Sequence, residues 1–308
     1  DMNAIVKEIK QNETQLREWF EHLHRHPELS MQESQTARYI EETLRSLGAY
    51  EIETGVGKHG IVASLKVGDS DRAIGLRTDF DALPIQETND LDYRSETPGV
   101  SHLCGHDGHT TMLLAAARQL AETRNFDGTV HLIFQPAEET MEGSPAMIAD
   151  GLFERFPMDA VFGMHNMPGL ELGKLYFTEG DTMAAVDNWE VEITGKGGHG
   201  AFPEHAIDPV VAGSSLVMAL QSVVARNVAP AHRAVVTVGA FQAGQAGNVI
   251  AHSAILRLSI RTTTPEDREM VLGNIRRLIQ QQSESFGCTS EIREGVPGAV
   301  LTNDPEET

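Results

Sequence analysis

The segment Thr129-Val-His-Leu-Ile-Phe-Gln-Pro-Ala-Glu-Glu139 is an apolar run that stops at a proline and is followed by two acids. Residues 129–134 predict a short strand of the buried type. A helical apolar pattern precedes it over residues 109–123, another follows over 143–150, and a strand-like run comes next at 160–164. Upstream, residues 60–67 and 73–77 read as strands. Before them, Ile5, Ile9, Leu16, Phe20 and Leu23 predict one helix over 4–24, and a second is expected over 34–47, ending near Gly48. Strands alternating with helices predict a layered α/β domain whose central, mainly parallel sheet is flanked by helices.

The pattern changes after about residue 183. Residues 189–194 alternate apolar and polar. A long helix opens at Asp208-Pro209 and another at Thr264-Pro265-Glu266, with strands at 233–241 and 252–261 between them. This strand, helix, strand, strand, helix, strand order predicts a smaller, two-layer, ferredoxin-like α+β domain inserted in the larger one. The expected division is 1–182, 183–294 and a return at 295–308.

Composition narrows the function classes. The 308 residues carry 24 Lys and Arg against 45 Asp and Glu, a net charge of −21 that repels nucleic acid and acidic membrane surfaces. No run of 18 or more apolar residues occurs, so no membrane span is expected, and residues 1–11 lack the pattern of a secretory signal. Two cysteines make no disulfide framework, which predicts a reducing, cytoplasmic setting. Cys288 reads as a buried structural thiol, whereas Cys104 stands among histidines.

Ser101-His-Leu-Cys-Gly-His-Asp-Gly-His109 is the densest chemical segment. A thiolate at 104 and an imidazole at 106, with glycine between them just before a helix, can reach one metal ion, and the cationic helix end favours the thiolate. Glu138 and Glu139 follow a strand. Neighbouring carboxylates there point different ways, so one can bind metal while the other acts as a general base. His165 follows the strand at 160–164 in the same manner, at the kind of strand end where open α/β sheets carry their sites. Asp79 and Asp81 follow another strand and could orient metal-bound imidazoles or cap a loop. In the smaller domain, Gly195-Lys-Gly-Gly-His199 is a glycine-rich turn without the ending of a phosphate loop. Asn248 and Arg261 lie near strand ends, and Arg261 can fork onto a carboxylate or stand as a surface cation.

These segments, with His22-Leu-His-Arg-His-Pro-Glu28 and Leu76-Arg-Thr-Asp-Phe-Asp-Ala-Leu-Pro-Ile85, resemble the zinc-peptidase superfamily of aminoacylases, carboxypeptidase G and succinyl-diaminopimelate desuccinylase. The likeness is greatest to the branch of hippurate hydrolases, N-acyl-amino-acid amidohydrolases and auxin-conjugate hydrolases. The resemblance implies metal-dependent cleavage of N-acyl amino acids. It implies one or two divalent ions (zinc, manganese, nickel or cobalt) on Cys104, His106, Glu139 and His165, and Glu138 as general base. It further implies His199 steadying the oxyanion in a partner subunit, Asn248 and Arg261 holding the substrate carboxylate, and a homodimer formed through the smaller domain. The family pattern also places a last ligand histidine near the C-terminus. No histidine follows His252, so a shortened catalytic domain is expected. A peptide-bond hydrolase with the same machinery and a metal-binding chain without catalysis remain open at this point.

Overall fold

Near-continuous apolar strands need cover on both faces, and the computed structural model, which describes residues 2–308, provides it. Asp1, the first residue of the expected catalytic domain, lies outside the described residues. The chain forms two units, one running to Lys174 and the other covering Leu175–Thr308. The sequence pattern had suggested the change at 182/183.

The first unit contains α1 (Met2–Lys10), α2 (Glu13–Arg25), α3 (Ser34–Ser46), β1 (Glu51–Val56), β2 (Gly60–Val67), β3 (Ala73–Asp79), α4 (His106–Thr123), β4 (Gly128–Gln135), α5 (Gly143–Ala149), α6 (Leu152–Arg155) and β5 (Ala160–Gly163). Its sheet has the order β1-β2-β4-β3-β5. Alternation along the strands divides its side chains. Ile61, Ala63, Val130, Leu132 and Phe134 join Trp19, Ile40, Leu44 and Leu114 from the helices on one face. Val62 and Ile133 meet Met147 and Leu152 on the other.

Two expectations are corrected here. The sheet is mixed rather than mainly parallel, because β1–β2 and β2–β4 pair antiparallel while β4–β3 and β3–β5 pair parallel. A short turn joins β1 to β2, which permits only antiparallel pairing. The helix expected over 4–24 is two helices. Gln11 and Asn12 donate to carbonyls three residues back, and Asn12 then accepts the first bond of α2 from Leu16. The Asn12 side chain makes no cap bond, so the break rests on the backbone bonds alone.

The second unit holds β6 (Gly180–Met183), β7 (Ala185–Thr194), β8 (Gly198–His199), α7 (Pro209–Asn227), β9 (Ala234–Ala243), β10 (Val249–Ile250), β11 (Ser253–Thr262), α8 (Pro265–Ser285), β12 (Thr289–Glu294) and β13 (Leu301–Asn303). The main sheet, β12-β7-β11-β9, is antiparallel throughout. With α7 and α8 it makes the two-layer α+β arrangement read from the sequence. Helix α7 is long and apolar enough to cross a membrane, yet its Ala212, Leu216, Leu220 and Val223 are packed with Val191, Leu256 and Ile275 in this unit's core. Residues 301–303 pair with β6, so the segment expected to return to the larger domain groups with the second unit.

Candidate metal centre

Strands β3, β4 and β5 run parallel, and their carboxyl ends finish side by side. Asp79 pairs with Gln135, and Arg77 with Gly163. The residues just past those ends therefore share one edge of the sheet. Asp79 and Asp81 leave β3, Glu138 and Glu139 leave β4, and His165 leaves β5. The start of α4 adds Cys104 and His106 to the same place.

The donor atoms of Cys104, His106 and His165 all lie within 4.8 Å of one another, as do those of His106, Glu138 and Glu139. Cys104 Sγ is 3.5 Å from His165 Nε2. His106 Nε2 is 3.6 Å from Glu139 Oε1 and 3.8 Å from both Glu138 Oε2 and Asp79 Oδ2. Gly105 makes the Cys104–His106 pairing possible: it sits at φ +90°, and a Cβ there would meet the Asn166 amide at 2.1 Å.

His106 and His165 are each held by an oxygen acceptor at Nδ1. His106 Nδ1 donates to Asp81 Oδ1 at 3.1 Å, and His165 Nδ1 donates to the Asn166 carbonyl at 2.5 Å, so each Nε2 faces the cluster. Asp81 does more, since its other oxygen accepts Ser30 Oγ at 2.7 Å and the Glu139 amide at 3.0 Å. Asp79 also holds an imidazole. It takes bonds from His109 Nδ1 at 2.7 Å and Arg77 Nη1 at 2.9 Å, and the donor atoms of Asp79, His106 and His109 also lie within 4.8 Å of one another.

The residues fit a metal ion. Among the described residues, His106 Nε2 and Glu139 Oε1 are buried polar atoms without a hydrogen-bond partner, and they face each other. Burial opposes a charge on His106. Its bond to Asp81, the nearby Cys104 and the charges of Asp79 and Asp81 outweigh that effect and push its pKa up to about 11. A field that holds a proton so firmly also favours a divalent cation. Burial raises the Glu138 carboxyl above its ordinary range, and neighbouring Glu139 adds to the rise, which suits a proton acceptor.

Of the residues read from the second unit, two lie together and the third lies on another strand. His199, on β8, pairs opposite Val249, and Gly200 N donates to the Asn248 carbonyl at 2.8 Å, so His199 and Asn248 share one ribbon. Arg261 lies eight residues along β11 from Ser253, a span of roughly 26 Å at strand rise.

The sequence reading missed His109, which lies one helical turn after His106 on the same face of α4 and bonds both Asp79 and Asn166. Its spacing was the available signal. It also missed His24, whose Nδ1 meets Asp107 Oδ2 at 2.6 Å and whose Nε2 meets Glu87 Oε1 at 3.0 Å, fastening the loop around 87 and the start of α4 to α2.

Comparison with known proteins gives the family. A hippurate hydrolase of Campylobacter jejuni is 45% identical over 284 residues, 92% of this chain and 74% of that protein. An N-acyl-L-amino acid amidohydrolase of Geobacillus stearothermophilus is 38% identical, over 95% of this chain and 78% of its own length. The crystal structure of a dinuclear metal binding peptidase of Bacillus subtilis superposes with a TM-score of 0.75 at 34% identity, covering 96% of this chain and 77% of that one. The sequence model of one family spans residues 75–271, from the strand that carries Asp79 into α8, and so includes every residue of the cluster. On that match and those relatives, the chain belongs to peptidase family M20/M25/M40.

Proposed function

We propose that this chain hydrolyses the amide bond of N-acyl amino acids and releases a carboxylic acid and a free amino acid. The observation that carries the reading is the open side of His106 Nε2, ringed by Glu139, Glu138 and Asp79 at 3.6–3.8 Å. The relatives named for hippurate and N-acyl-L-amino acids support the substrate class.

Cys104, His106, Glu139 and His165 would hold one or two divalent ions. The mixed sulfur, nitrogen and oxygen set suits zinc and also admits manganese, nickel or cobalt. When bound, such an ion polarises an amide carbonyl and lowers the pKa of water. Glu138 takes a proton from the attacking water and returns it to the leaving amine. Asp81 keeps the His106 ring turned toward the cluster. His199 steadies the oxyanion, and Asn248 and Arg261 hold the substrate carboxylate. We place His199 in the site of a second copy, in a homodimer formed through the second unit. The two free thiols fit a cytoplasmic setting.

Glu138→Gln keeps the shape and removes the base. Turnover of hippurate and of N-acetyl amino acids should fall by at least about 100-fold, the low end of a general base's contribution, with metal per chain unchanged. Full turnover in that variant would reject the assignment. A wild type that cleaves dipeptides and no N-acyl amino acid would reject the substrate class.

A further inference from the structure

We infer that Glu33 is a positioning residue for this reaction: it holds the left-handed peptide of Ala137 and thereby aims Glu138. The inference rests on the role proposed for Glu138.

Ala137 has φ +48°, a conformation that costs an L-residue roughly 1–2 kcal/mol and persists only where the surroundings enforce it. Two bonds do so. Its N–H donates to Glu33 Oε1 at 2.8 Å, and its carbonyl accepts Gly143 N at 3.0 Å. Gly143 leaves no slack, since a Cβ there would lie 1.6 Å from the Pro136 carbonyl oxygen. Glu33 and Ala137 are both fully buried.

An apolar side chain would fill the Glu33 position without the cost of burying a carboxyl. Among the described residues, Glu33 Oε2 meets no donor in hydrogen-bonding geometry. Burial pushes the carboxyl up to about 7, against the pull of the Glu33, Ala137 and Met31 amides and with the Asp81 charge adding to the rise. The Ala137 amide is the donor that joins this carboxyl to the turn after β4. The same loop holds the neighbouring turn position too, because Ser30 Oγ donates to Asp81, which accepts the Glu139 amide. The segment after His-Pro-Glu28 thus supports the backbone on both sides of Glu138.

The test compares the wild-type chain with Glu33→Gln, which keeps an acceptor, and Glu33→Leu, which removes it. With an N-acyl amino acid as substrate, Glu33→Leu should lower kcat by about 100-fold, the effect of an ångström-scale misplacement. KM should stay within about threefold and metal per chain should be unchanged, because uniform binding is untouched. Glu33→Gln should stay within about threefold of wild type in kcat. In the metal-free chain, hydrogen exchange at the Ala137 amide should quicken by at least about tenfold in Glu33→Leu and not in Glu33→Gln. Equal kcat in wild type and Glu33→Leu, or unchanged exchange at Ala137, overturns the proposal. If Glu33→Leu does not fold, Glu33→Leu combined with Ala137→Gly should, because glycine reaches positive φ at no steric cost. Failure of that pair also overturns it. A wild type inactive on every N-acyl amino acid, with exchange as expected, instead removes the functional reading and leaves the Glu33–Ala137 hold standing.

Discussion

At His106 the ring is held by Asp81 at Nδ1 and left open at Nε2, where three carboxylates wait at 3.6–3.8 Å. Asp81→Ala would free that ring and release the Glu139 amide together. Metal affinity should fall by about 10–100-fold, the usual cost of losing such a partner. Competition with a chelator measures it, and an unchanged affinity contradicts the arrangement. Glu33 gives a pH dependence of definite sign. Its carboxyl is raised to about 7 from an ordinary 4.5, so the folded state binds the proton more tightly than the unfolded chain does. The stability it contributes is full below 4.5 and is lost as pH rises through 7, on the order of 3 kcal/mol across the span. Denaturant unfolding of wild type and Glu33→Gln between about pH 5 and pH 8 reads this directly. The Gln variant should gain on wild type as pH rises, and a constant difference excludes the effect.

The elements differ in how openly they announce themselves. Helices α7 and α8 were legible because Asp208-Pro209 and Thr264-Pro265 state their starts, and in the structure Asp208 Oδ1 accepts Val210 N at 2.8 Å while Thr264 Oγ1 accepts Asp267 N at 3.1 Å. Asp208→Ala should cost the second unit about 1 kcal/mol, the ordinary worth of such a cap. Its denaturation midpoint should drop with metal content unaltered, and no drop would mean the cap is idle. The break between α1 and α2 was not legible. Apolar spacing runs on through residues 11–12, and only the three-residue-back bonds of Gln11 and Asn12 show the interruption. The turn after β4 was legible as an acidic site. Its left-handed Ala137 was not, since no glycine or asparagine marks the position.

Each unit has its own apolar core, one around Trp19, Phe80 and Phe134 and the other around Trp189, Leu216 and Ile275. The proposed metal ligands all belong to the unit that ends at Lys174. Calorimetry should resolve two unfolding transitions, with a chelator lowering only the one that belongs to that unit. At 100 times the dissociation constant the bound ion would be worth about 2.7 kcal/mol to it. Movement of both transitions, or of neither, contradicts this assignment. Read from residues alone, the chain determined the kinds of its elements, the chemistry of its donors and their places at strand ends, because periodicity and residue type are local properties. The meeting of Cys104 with His165, the antiparallel half of the sheet, and the bond from residue 137 to residue 33 were decided by the tertiary structure. Strand order and close packing depend on which distant surfaces bury one another, and no local pattern records that choice.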